Sequence, residues 1–113
     1  MFISLPVLDL SQLRNVTLND EVLMREVVEA LVVDTSQQIE ELRRAVTKGD
    51  PQACIRLAHN AFGACGNVGA ASMAALFGAV ERYARDGDLD QCRSSVDELL
   101  VELEKLRHEA DTI

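Results

Sequence analysis

The 113 residues carry 19 acidic and 11 basic side chains, a formal net charge of −8, with 48% apolar and only 4% aromatic residues. That length suits one compact domain over residues 1–113, whose core must be aliphatic. The excess negative charge excludes nucleic acid and anionic membrane as expected partners, because phosphates are neutralised by clustered Lys and Arg. The N-terminal MFISLPVLDL is too short to span a membrane and has neither a basic leader nor a small-residue cleavage pattern, so it reads as a strap on the core of a cytoplasmic protein. DLSQLRN at 9–15 then supplies a capping Asp and a few apolar positions, enough for a short helix.

The first long helix is predicted from about Asp20 to Lys48, capped by Asn19, with Leu23, Val27, Leu31, Ile39, Leu42 and Val46 at helical intervals. Its polar DTSQQ stretch at 34–38 permits a bend. KGDP at 48–51 closes that helix and opens the next, with Pro51 at a favourable first position, and the second runs to about Asn67. NVGA at 67–70 places Gly69 where a left-handed residue closes a helix. The third spans about Ala70 to Asp86 with Met73, Leu76, Phe77, Val80 and Ala84 inward, and DGD at 86–88 ends it. The fourth starts near Asp88; Leu89, Cys92, Val96, Leu99, Leu103 and Leu106 alternate three- and four-residue steps, a seam for its neighbours rather than for a second chain. Strand signals are absent. The fold class is therefore all-α: an antiparallel up-down four-helix bundle with a short extra N-terminal helix.

Cys54, Cys65 and Cys92 are odd in number and lack the paired spacing of a zinc site or redox motif, which fits free thiols in a reducing compartment. No glycine-rich phosphate loop or nucleophile elbow is present. No metal or cofactor is expected, and a hydrolytic or metal enzyme finds little support. His108 lies near the end of the last helix among charged residues, where its charge suits the helix terminus, and it is assigned no function.

The informative stretch is LAHNAFGACGNVGA at 57–70, which spends three glycines in and around a helix, at roughly 0.5–1 kcal/mol for each interior one. At about 100° per residue, Cys54, Ala58, Ala61 and Cys65 form a narrow stripe of small residues facing the core. His59 points about 130° away from it, toward water. Side chains on a helix lean toward its N-terminus, so the residue four positions on would normally cover the imidazole. That residue is Gly63, which covers nothing. Ile55 and Phe62 flank the ring on one side and Arg56 on the other, an arrangement that resembles a docking patch. A neutral imidazole nitrogen is a competent nucleophile near pH 7, and a nearby cation offsets phosphoryl charge.

The same residues resemble the signature of histidine-containing phosphotransfer (HPt) domains: Ala58, His59, Gly63, Ala64, Asn67, Val68, Gly69 and Ala70 match the usual run. PVLDL at 6–10, KGDP before the histidine helix and ERYARDGD at 81–88 extend the likeness over nearly the whole chain. The resemblance implies a monomeric phosphocarrier of two-component phosphorelays, with His59 as the phosphorylated residue, at Nε2. Its implied partners are a response-regulator receiver domain, which supplies the Asp and Mg²⁺, and a hybrid sensor histidine kinase. One position departs from the pattern: where the family usually has Lys three residues after the histidine, this chain has Phe62. Arg56 is the expected substitute for that cation. The missing lysine also leaves an alternative, a transfer-impaired binding module that sequesters a receiver domain or kinase.

Overall fold

The computed structural model describes residues 4–113, and residues 1–3 of the expected strap lie outside them. Five helices account for most of these residues: α1 Leu10–Thr17, α2 Glu21–Lys48, α3 Pro51–Val68, α4 Ala71–Arg85 and α5 Leu89–Asp111. Helices α2 to α5 form a closed ring of antiparallel neighbours, each packed on the two beside it, and α1 lies against α2 and α3. The 28 residues of α2 rise about 42 Å, which matches the 42 Å long axis of the molecule. Helix α3 is ten residues shorter than α2, so the start of α2 extends beyond it. The overhang is met by the end of α5, where Arg25 donates to the Ile113 carbonyl oxygen.

Helix boundaries follow the chemistry of their caps. Asp9, Asp20, Asp50 and Asp88 each accept a backbone N–H of the following first turn, satisfying donors that the helix itself leaves free. Asp20 rather than Asn19 caps α2, a correction to the sequence reading. Leu18 and Asn19 both take left-handed backbone, with φ of 53° and 62°, and end α1 instead. Asn tolerates that conformation better than most residues, which is why it serves the turn and leaves the cap to Asp20.

The buried face of α2 also differs from the expected one in its first turns. Met24 and Val28 are buried, whereas Leu23 is 38% exposed and Val27 only partly covered. The face runs 24, 28, 31, 35, 39, 42 and 46, and its middle member is Thr35, 1% exposed. The Thr35 hydroxyl donates to the Leu31 carbonyl at 2.7 Å, so the polar group is buried without loss. No break interrupts α2 at 34–38.

The core is the interior of the four-helix ring, with Phe77 of α4 its largest fully buried side chain, among Leu42, Leu99 and Leu106. The small stripe of α3 lies wholly inside: Cys54, Ala58, Ala61 and Cys65 are at most 1% exposed. Small residues there let α3 approach its neighbours closely and fix which face it turns outward. Gly69, at φ 100°, closes α3 and meets the strap; its carbonyl accepts from Asp9 N at 2.7 Å, and a Cβ there would stand 2.8 Å from the Asp9 oxygen. Val7 and Leu8 of the strap pack on the core, and Ser72 N donates to the Pro6 carbonyl.

All three cysteines are free and buried. Burial pushes the Cys65 thiol up to about 12 and the Cys92 thiol up to about 11, so at pH 8 both stay protonated and unreactive. Iodoacetamide at that pH is expected to modify none of the three in the native protein and all three in denaturant, as read by intact mass.

Candidate functional site

His59 sits on the outer face of α3, opposite the buried stripe, with 67% of its side chain exposed. The space beyond it is open. A Cβ built at Gly63 or at Gly66, one and two turns further on, would meet nothing within 4 Å. The clearing inferred from the sequence is therefore present as geometry.

Helix α4 runs antiparallel beside α3 and contributes what the sequence reading missed. Glu81 Oε1 lies 3.0 Å from His59 Nδ1, and Glu81 Oε2 accepts from Arg85 at 2.8 Å. The Arg85 guanidinium holds the Glu81 carboxyl below its ordinary value of 4.5 against the opposing effect of burial, and His59 adds to the lowering. An ionised carboxylate only accepts hydrogen bonds, so the hydrogen on the neutral ring resides at Nδ1. Nε2 is then the nitrogen with the free lone pair. A signal for this did exist in the chain: Glu81 and Arg85 are four residues apart on one face of the helix. What the sequence did not reveal was that α4 sets this pair level with His59, 22 residues earlier.

The flanking residues divide between the two sides of α3. Phe62 turns toward α4 and lays its ring on Gly78, with Cδ2 and Cε2 3.3 Å from where a Cβ would stand. It remains 45% exposed, so one face of the ring packs and the other is open. Ile55 is half-buried against the core on the same side. Arg56 is exposed on the opposite flank, where it lines the groove between α2 and α3 with Arg44 and Lys48.

The site is a raised ring on a helix face and no cavity encloses it. A cleft lined by Leu10, Val22, Arg25 and Ile113 among others draws on no residue of α3 or α4. No group of His, Cys, Asp and Glu among the described residues is disposed to hold a metal ion, and no described helix is long and apolar enough to cross a membrane. An exposed nucleophile without a pocket is suited to another protein rather than to a small molecule.

Comparison with known proteins bears on the same helices. The model of the Hpt domain matches residues 26–109, three quarters of the chain and all of α3 and α4. The chain belongs to the Hpt domain family. Among solved structures, the Hpt chain is similar to the crystal structure of histidine-containing phosphotransfer protein B (HptB) from Pseudomonas aeruginosa PAO1, at 26% identity. The TM-score is 0.87, over 96% of this chain and 95% of that one. No curated protein sequence matches it. The all-α bundle and its short N-terminal helix are thus those of an Hpt protein of phosphorelays.

Proposed function

We propose that His59 is the residue that carries the phosphoryl group, accepting it at Nε2 and exchanging it with the aspartate of a response-regulator receiver domain, with a hybrid sensor kinase as the upstream partner. The observation that carries this reading is an imidazole exposed over an open glycine face and held at Nδ1 by Glu81. In the accepting direction the Nε2 lone pair attacks phosphorus. The N–P bond forms as the P–O bond of the aspartyl phosphate breaks, and that electron pair returns to the partner's carboxylate. The ring keeps its Nδ1 hydrogen and gains positive charge, which Glu81 faces at hydrogen-bond distance. Because that charge is larger in the transition state than in the free ring, Glu81 favours transfer as well as aiming the ring. No general base of the Hpt protein is consumed. The chain acts as a carrier; the leaving group and the metal belong to its partner.

Exchange of the wild-type protein with a phosphorylated receiver domain is expected to give one acid-labile phosphate per chain. Stable binding to the receiver domain with no transfer would instead favour the sequestering module that Phe62, in place of the usual lysine, suggests. Glu81→Ala is expected to slow labelling about tenfold, the worth of one charge-assisted hydrogen bond in the transition state. Glu81→Gln, which keeps the acceptor oxygen, should lose less. Since Glu81 is depressed in the folded protein, its pairing is intact above its ordinary value of 4.5 and is lost as pH falls below it. The difference between wild type and Glu81→Ala is therefore expected to shrink in acid, and its persistence undiminished there would count against the role.

A further inference from the structure

We propose that Arg82 of α4 supplies the cation beside the phosphoryl group, from over the Phe62–Gly78 contact, in place of the lysine that this chain lacks. The inference rests on His59 being the acceptor.

Four observations carry it. The position three residues after the histidine projects toward α4, as the Phe62 ring on Gly78 shows, so a cation from that position would reach the α4 side of the imidazole. Gly78 has no side chain, and the point where its Cβ would stand lies 3.3 Å from the ring and 3.7 Å from Arg82 Nη1. A Cβ at position 78 would press on the aromatic ring and would already be in van der Waals contact with the guanidinium. With glycine, both groups approach the same point on the surface. Arg82 leans back along α4 toward Gly78, as helical side chains do, which in an antiparallel pair carries it along α3 toward Gly63 and Gly66, the open side of the site.

Charge accounting singles out the same residue. Arg85 is occupied by both its hydrogen bonds to Glu81. Arg56 lies on the α2 flank beside Arg44 and Lys48, away from Phe62. Arg82 is exposed, and among the described residues it makes no ion pair or side-chain hydrogen bond. It follows Glu81 directly in sequence, and Glu81 is bonded to the imidazole. A guanidinium free of carboxylates can donate two hydrogen bonds to phosphoryl oxygens. Those oxygens carry the developing charge of the transferring group, so the contact accelerates its arrival.

The test uses phosphoramidate as a small phosphoryl donor: the Nε2–P bond forms as the donor's P–N bond breaks, and ammonia leaves with the electron pair. No partner surface is involved. Arg82→Gln is expected to label His59 about tenfold more slowly than wild type, the loss of one charge-assisted contact. Arg82→Lys should restore part of the rate, and Phe62→Lys placed in the Arg82→Gln background should restore most of it, because the cation then returns from α3. Arg56→Gln should label as wild type does. Equal rates for wild type and Arg82→Gln, or a loss confined to Arg56→Gln, would overturn the assignment while leaving His59 as acceptor. A wild-type protein that takes no label, or a His59→Gln variant that does, would overturn the acceptor reading and Arg82's role with it.

Discussion

Replacing His59 by Gln is expected to abolish labelling by a phosphorylated receiver domain while leaving the thermal unfolding of the bundle unchanged. The two halves of that result come from the same geometry. The side chain is two-thirds exposed and lies outside the core, so little packing is lost, and its contact with Glu81 is an exposed one, worth little to stability. Gln can still reach the carboxylate, but it offers no nucleophilic nitrogen, since its amide lone pair is delocalised. His108, in the last turn of α5, offers no second site: among the described residues it has neither a carboxylate partner nor an open glycine beside it. The phosphate on the wild-type protein should be lost in acid, as an N–P bond is and a Ser or Thr ester is not. Base-labile or acid-stable phosphate, or residual label on His59→Gln, would move the acceptor elsewhere.

The parts of the fold legible in the sequence were those where one residue type decides the outcome. Gly49, Gly69 and Gly87 all adopt positive φ at helix ends, and each stands in a stretch read as a break from its glycine. The stripe of Cys54, Ala58, Ala61 and Cys65 was equally plain, because the four lie within one narrow arc and are all small. Where two residue types compete, sequence reasoning slipped by a single position. Asn19 and Asp20 both suit a cap, and only the left-handed turn at Leu18 and Asn19 decides between them. Thr35 is polar by type but self-satisfied by its bond to Leu31, so reading 34–38 as a polar stretch that permits a bend left Thr35 out of the apolar face.

The site divides along the same line. Everything contributed by α3 could be placed by helical geometry, since His59, Gly63 and Phe62 are near neighbours on one element. Everything contributed by α4 required tertiary structure. Glu81 looked like one more carboxylate on a solvated face, yet its side chain is only 18% exposed and bridges His59 and Arg85. Gly78 drew no notice because its value lies in what it lets Phe62 do. The chain is acidic overall, but arginines stand on both flanks of the histidine helix, Arg56 on the α2 side and Arg82 and Arg85 on α4. A net charge of −8 says nothing of such a local field.

Gly63→Leu is expected to raise stability and suppress function together, a combination that separates presentation of the ring from its chemistry. Position 63 is an interior helical site at ordinary negative φ, and a Cβ there meets nothing within 4 Å, so a side chain leaves the backbone without a clash. It should gain about 0.5–1 kcal/mol through helix propensity alone, read as a higher midpoint in urea. The same side chain leans back one turn toward the helix N-terminus, over the imidazole. A receiver domain must bring phosphorus in line with Nε2 at contact distance, and displacing that approach by an ångström or more costs on the order of 100-fold in transfer. Phosphoramidate is far smaller than a receiver domain and should be hindered much less, so the ratio of the two labelling rates is the diagnostic quantity. Gly63→Ala, with a single methyl group that barely reaches the ring, should share the gain in stability and keep most of the partner transfer. If Gly63→Leu exchanged phosphate with the receiver domain as fast as wild type, the open surface beside His59 would have no part in docking, and the glycine would need another explanation.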